Sequence, residues 1–177
     1  RSEGAASSES ASTIERQDSG FPESSLPALQ VGVVWQGNPQ QSQDIVRSCP
    51  LEQMIKLSEI PGIRWFSLQK GSLGESQWQQ NETARNRLIP IGQELTDFED
   101  TAAVLSQLDL LITVDTSVAH LAGALGTRVW TLLCHTPDWR WKLKGSQCPW
   151  YPTMRLFRQS QRGDWAGVFA RMAEALA

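Results

Sequence analysis

Three observations predict an α/β fold, a Rossmann-like, doubly wound and mostly parallel sheet. Residues 110–114 (Leu-Leu-Ile-Thr-Val) and 129–133 (Val-Trp-Thr-Leu-Leu) are short, largely apolar runs, the pattern of parallel strands covered on both faces. Between them Val118, Leu121, Ala122 and Leu125 recur at helical spacing, and Gly126 stands where a left-handed C-terminal residue is expected. Strand-like and helix-like stretches then alternate from residue 30 to residue 177, as a parallel sheet with right-handed crossover helices requires.

The elements follow in order. Residues 30–35 give a first strand, closed by the turn signal Gln36-Gly37-Asn38-Pro39. A helix is predicted over 51–58, opening after Pro50 and stopping before Pro61-Gly62. Residues 63–68 form a second strand ended by Gln69-Lys70-Gly71. The Gln- and Asn-rich stretch that follows fits either a poorly packed helix or an open loop, and 88–91 make a weak third strand. Asp97, with Asp100 three residues on, resembles a capping arrangement for a helix over 99–108. After the fifth strand the chain turns irregular and aromatic through Trp139, Trp141, Trp150 and Tyr151, reaches a short strand at 154–157, and ends in an amphipathic helix capped by Asp164.

Composition bounds the function. The first 29 residues carry eight Ser and only scattered large apolar side chains, too few to offset the entropy of ordering them, so 1–29 is expected to be a disordered linker and 30–177 the folded domain. A start at Arg rather than Met fits a piece of a longer protein. A net charge of -3 offers no electrostatic case for nucleic acid or an anionic membrane, and no apolar run is long enough to cross one. Cys49, Cys134 and Cys148 are odd in number and lack metal-ligand spacing, which points to a reduced, cytoplasmic compartment and no bound metal. Neither G-x-G-x-x-G after a strand nor a P-loop occurs, so NAD and simple NTPase chemistry rank low.

The compact unit over 109–133 brings a helix N-terminus to the carboxyl edge of the sheet, where unpaired N–H groups favour anions such as phosphate. The N–H groups of Thr116, Ser117 and Val118 are the candidates, with ordinary capping by Asp115 or Thr116 as the alternative.

Asp115-Thr116-Ser117-x-x-His120-Leu121-Ala122-Gly123-Ala124-Leu125-Gly126 resembles the D-T-G/S-x-x-H-L-A-x-A-L-G signature of glycosyltransferase family 9, which includes heptosyltransferases and domains attached to tetratricopeptide repeats. Trp35-Gln36-Gly37-Asn38-Pro39, Arg47-Ser48, Ser67-Leu68-Gln69-Lys70-Gly71, Asp97-Phe98-x-Asp100-Thr101-Ala102, Asp138-Trp139-Arg140-Trp141 and Pro149-Trp150-Tyr151-Pro152 resemble the repeat-linked branch in the same order. The resemblance implies the C-terminal, donor-binding half of a GT-B enzyme, acting by metal-independent inverting transfer from an ADP-sugar or another nucleotide-diphosphate sugar, with no separate cofactor. It implies a catalytic base in an N-terminal acceptor domain that this sequence does not contain, so the chain alone is not expected to transfer sugar. The competing reading is a non-catalytic binding module of a repeat protein; family 9 commonly has Gly where this chain has Ser117.

Within the resemblance, Asp115 is expected to hydrogen-bond sugar hydroxyls or shape its loop, and Arg47 to be the cation for the diphosphate, with Gly37 and Asn38 beside it. His120, in the first helical turn, is expected to be neutral, either touching the ligand or pinning the helix. Gln69 and Lys70 end the second strand, at the edge where adenine and ribose bind in related folds. Asp97 and Thr101 fit either a ribose contact or helix capping. Of the eight Trp, Trp35, Trp65 and Trp130 are expected in the core; for Trp139, Trp141 and Trp150 packing of the loop is favoured over stacking on a sugar.

Overall fold

The computed structural model describes residues 28–41 and 44–177, and the linker expected over 1–29 lies almost wholly outside them. Leu29, at the expected boundary, already belongs to the first strand.

Six strands, β1 (Leu29–Val34), β2 (Ile63–Ser67), β3 (Leu88–Pro90), β4 (Leu110–Val114), β5 (Val129–Leu133) and β6 (Met154–Arg158), form one sheet in the order β3-β2-β1-β4-β5-β6, all pairs parallel. Helices α1 (Asp44–Arg47), α2 (Leu51–Leu57), α3 (Ser72–Gln80), α4 (Glu82–Arg87), α5 (Phe98–Leu105), α6 (Ser117–Ala124) and α7 (Trp165–Leu176) connect or cover them. The expected Rossmann-like α/β fold is present. The stretch that read ambiguously becomes α3 and α4, divided at Asn81, whose side chain accepts from the Ala84 N–H.

Alternation within the strands divides the core in two. Val31, Val33, Leu110, Ile112, Val114 and Leu132 face α2 and α7, packing on Met54, Val168, Phe169 and Met172. Val34, Leu111, Val129, Leu133 and Leu156 face α5 and α6, meeting Leu105, Ala119, Ala122 and Trp141. Every residue of β4 is buried, as the unbroken apolar run predicts, and each large side chain of this kind contributes roughly 1.5–3 kcal/mol. The core expectation is right for Trp35 and Trp65, and Trp141 is fully buried. Trp130 is half-buried against Phe157 and the Arg155 guanidinium. Trp139 and Trp150 correct the reading: they are 78% and 56% exposed, and in the short 3-10 turn Trp139–Trp141 only the last residue, Trp141, is buried.

The sheet is wound in opposite directions from its centre. From β1 the chain passes to the α2 layer, and from β4 it passes to the α6 layer. The carboxyl ends of these neighbours therefore diverge, which opens a crevice between them.

Candidate functional site

The crevice is lined at its centre by α6's first turn. Thr116 is the N-cap, extended at φ -139° and ψ 169°, yet its side chain accepts no cap hydrogen bond. Its hydroxyl instead meets the Thr113 hydroxyl at 3.1 Å, and Thr113 is fixed by donating to the Val114 carbonyl. The Ala119 N–H reaches the Thr116 carbonyl at 3.1 Å, whereas the Ser117 and Val118 N–H groups meet no acceptor among the described residues. Gly126, at φ +76°, ends the helix in the left-handed conformation its position predicts.

In front of these amides lies a hollow of about 530 Å³ lined by Arg47, Asp115, Thr116, Ser117, His120 and Arg140, among others. A second, of about 460 Å³, adjoins it through Arg47, Thr116 and Ser117 and extends past Gly37, Asn38, Lys70 and Gly71. Loops after β1, β2, β4 and β5 thus converge on one helix end.

Both arginines in this crevice come with an acid. Arg47 Nε lies 3.0 Å from Asp44 Oδ1, and the pair packs so closely on Gly37 that a Cβ there would fall 2.7 Å from an Arg47 nitrogen. Arg140 Nε lies 2.9 Å from Asp138 Oδ1, and Asp138 also caps the turn by accepting from the Arg140 N–H. Paired guanidinium groups are held in place while retaining N–H donors for a further anion.

His120 is fixed on three sides. Nδ1 is 3.1 Å from the Tyr151 hydroxyl, Nε2 is 3.5 Å from an Arg140 nitrogen, and the ring stacks on Trp141 with centroids 5.0 Å apart. Arg140 can only donate, so Nε2 accepts and the ring proton sits on Nδ1, donated to Tyr151. Burial lowers the imidazole pKa from its ordinary 6.5; Asp115, whose Oδ1 is 3.9 Å from Nε2, opposes that shift, and the Arg140 charge adds to it. His120 therefore pins α6 to the aromatic loop and also lines the hollow.

Of the residues singled out in the sequence, Gly37, Asn38, Arg47, Lys70, Asp115, Thr116, Ser117 and His120 line the crevice. Val118 brings its N–H to the helix end, while its side chain packs on the α5–α6 side of the core. Gln69, Asp97 and Thr101 are not brought there. Gln69 is buried; Oε1 accepts from the Trp35 and Gln36 N–H groups at 3.1 and 3.0 Å, and Nε2 donates to two carbonyls, so its polar atoms tie β2's end to β1's. Asp97 Oδ1 accepts from the Glu99 and Asp100 N–H groups, and buried Thr101 donates back to the Asp97 carbonyl at 2.7 Å. Both close the first turn of α5, the capping alternative of the sequence reading. Lys70 donates to the Leu95 carbonyl. Sequence reasoning did not single out Gln41, Cys134 or Asp138 for the site; Asp138 stood in a resembling motif without a role, Gln41 and Cys134 carried no motif signal, and the fold brings the segments after β1 and β5 together here.

Comparison with known proteins bears on this geometry. Residues 93–165 match the model of glycosyltransferase family 9 (heptosyltransferase). That segment runs from the loop after β3 through α5, β4, α6, β5 and β6 to the start of α7, and so contains the unpartnered amides, His120 and Arg140. Among curated proteins, Protein FlbA of Caulobacter vibrioides is 29% identical over 152 residues, 85% of this chain and 25% of FlbA. Two solved structures share the fold. E. coli heptosyltransferase WaaC with ADP aligns at a TM-score of 0.64 and 17% identity over 85% of this chain and 45% of that one. E. coli ADP-heptose LPS heptosyltransferase II aligns at 0.63 and 13% identity over 85% and 46%. The chain thus spans a quarter of FlbA and under half of either heptosyltransferase. The heptosyltransferase-like, Rossmann-like sheet is common to all of these structural alignments.

Proposed function

We propose that this chain is the C-terminal, donor-binding part of a GT-B, metal-independent inverting glycosyltransferase resembling family 9, and that its crevice holds a nucleotide-diphosphate sugar, with ADP as the expected nucleotide. The observation that carries the reading is the pair of amides at Ser117 and Val118, unpartnered among the described residues, at a helix end whose Thr116 and Ser117 line the hollow with Arg47 and Arg140. When the bond to the sugar breaks, negative charge accumulates on the leaving diphosphate. Donors fixed beforehand stabilise that charge without reorganising at the moment of reaction. The helix end adds its positive dipole. Asp115 stands beside the amides, directed toward His120, where it can accept from sugar hydroxyls.

Tight packing keeps the cradle in place. His120 holds α6, Tyr151 and Trp141 hold His120, and Asp138 holds Arg140. Lys70, at the far end of the second hollow, is the nucleotide-side cation. Gln69, Asp97 and Thr101 support the loops that carry these groups. The base that activates the acceptor belongs to a further domain, in this reading an N-terminal acceptor half attached to, or accompanied by, tetratricopeptide repeats.

Titration of the 15N-labelled chain with ADP tests the proposal. The amide resonances of Ser117 and Val118 shift first, together with Arg47 and Lys70, and calorimetry returns a single site. Absence of these shifts at millimolar ADP, UDP and GDP overturns it and favours a Rossmann-like interaction module.

A further inference from the structure

The segment joining β5 to β6 carries a surface that the crevice does not use. Residues 139–163 hold six of the chain's 16 Lys and Arg and none of its 19 Asp and Glu, so the net charge of -3 conceals a strongly basic stretch. It opens with Trp139-Arg140-Trp141-Lys142-Leu143-Lys144, apolar and cationic residues in strict alternation. Trp139 and Leu143 are 78% and 70% exposed. Lys142 and Lys144 are exposed too, and neither has an ion-pair partner among the described residues. Trp150, 56% exposed, is tied to the same turn by its indole N–H, which donates to the Arg140 carbonyl at 2.8 Å.

This exposure is built into the loop. On one side Trp141 is fully buried, and the Arg158 guanidinium donates to its carbonyl at 3.0 Å. On the other side the Leu156 N–H donates to the Ser146 carbonyl at 2.7 Å, and Cys148 is buried. Between these anchors Lys142 stands at φ +57° and ψ 177°, a strained conformation for any residue with a side chain. The strain falls where the chain passes from buried Trp141 to exposed Leu143. A loop held on both flanks presents its apolar side chains to water by its own geometry, a cost that a covering surface removes.

We infer that this loop docks the protein on an anionic membrane surface, with Trp139, Leu143 and Trp150 entering the headgroup layer and Lys142 and Lys144 meeting the lipid phosphates. Indole rings, apolar with one polar edge, settle at the bilayer–water boundary. Lysine stems lie along apolar surface while their ammonium groups stay among the headgroups, and an anionic leaflet attracts each of them. A protein partner fits less well: interfaces between proteins are depleted in lysine and enriched in arginine, whereas two lysines flank Leu143 directly. Asp138 and Arg140 of the same turn line the crevice, so docking sets the crevice beside the membrane. The inference does not depend on the donor reading.

The test is sedimentation of the chain with phosphatidylcholine vesicles, with and without about 30% phosphatidylglycerol, at roughly 0.1 M salt. The anionic vesicles take up the chain at least about tenfold more strongly than phosphatidylcholine alone, and its tryptophan emission moves to shorter wavelength. Lys142→Gln with Lys144→Gln weakens the partition about twentyfold, roughly fivefold per lysine. Trp139→Ala with Leu143→Ala weakens it about tenfold while leaving the charge unchanged. Both double variants change exposed side chains, and thermal melting verifies that they are folded. Equal uptake by the two vesicle types overturns the inference, as does a folded double variant of either kind that partitions within about twofold of the parent. Failure to sediment with the anionic vesicles overturns it as well and favours an acidic protein or a nucleic acid as the partner of this loop.

Discussion

Replacing Ser117 by proline removes one of the two free amides without disturbing the helix. Ser117 is the first residue of α6, the position where proline is best tolerated, because its N–H has no intrahelical partner. The preceding Thr116 is extended at φ -139° and ψ 169°, a conformation compatible with a following proline. The side chain is exposed, so the ring displaces no core group. What the variant loses is one hydrogen bond to a charged phosphate, about 1.5–3 kcal/mol. The crevice is open to water, which places the loss near the lower end, roughly tenfold in Kd for ADP. Ser117→Ala removes the hydroxyl alone and is the proper reference. Calorimetry with ADP on both variants measures the difference, and thermal melting verifies that the fold is kept. A folded Ser117→Pro protein that binds ADP within about twofold of Ser117→Ala refutes the amide cradle.

Further outcomes follow from the same contacts. Gly37→Ala forces a Cβ against the Arg47–Asp44 pair, displaces the Arg47 guanidinium, and weakens ADP by about tenfold in calorimetry. Gln69→Ala leaves the buried Trp35 and Gln36 N–H groups unsatisfied; urea denaturation records a loss of about 2–4 kcal/mol, larger than for a surface glutamine. His120, with its folded pKa below the ordinary 6.5, makes stability rise with pH across the interval between the folded pKa and 6.5. That contribution is fully present above 6.5 and is lost as the pH falls through it, so melting temperatures followed from pH 7.5 to 5.5 drop less steeply in His120→Gln than in the parent chain. Asp100 and Asp164, lowered chiefly by hydrogen bonds from Thr96 and Ser160, act only below their ordinary 3.8 and leave this window untouched.

The unit from β4 to β5 was legible in the sequence because its signals reinforce one another: an unbroken apolar strand, small residues at helical spacing, and a glycine in the left-handed region. The α3–α4 stretch was not legible, since Gly74 and Ala84 are the only buried residues the two helices contribute, and propensity alone does not separate a weakly packed helix from a loop. Polar residues at strand ends proved the hardest to read. Gln69 and Lys70 are adjacent in sequence, yet one is consumed by backbone groups and the other lines the crevice. Asp97 and Asp115 are both acids ahead of helices; Asp97 caps α5, while the capping position before α6 belongs to Thr116, whose hydroxyl is turned away. Arg140 acquires its place only through the 3-10 turn that sets it against His120, twenty residues earlier.

Because β1 and β4 send the chain to opposite helical layers, the cleft between them is a product of chain routing rather than of any particular side chain. The hydrogen-bonded ladders below it set its position, and the segments following β1 and β5 decorate its rim without taking part in those ladders. Those rim segments are therefore interchangeable parts. Grafting different loops there alters the cargo the frame carries while leaving the frame itself intact.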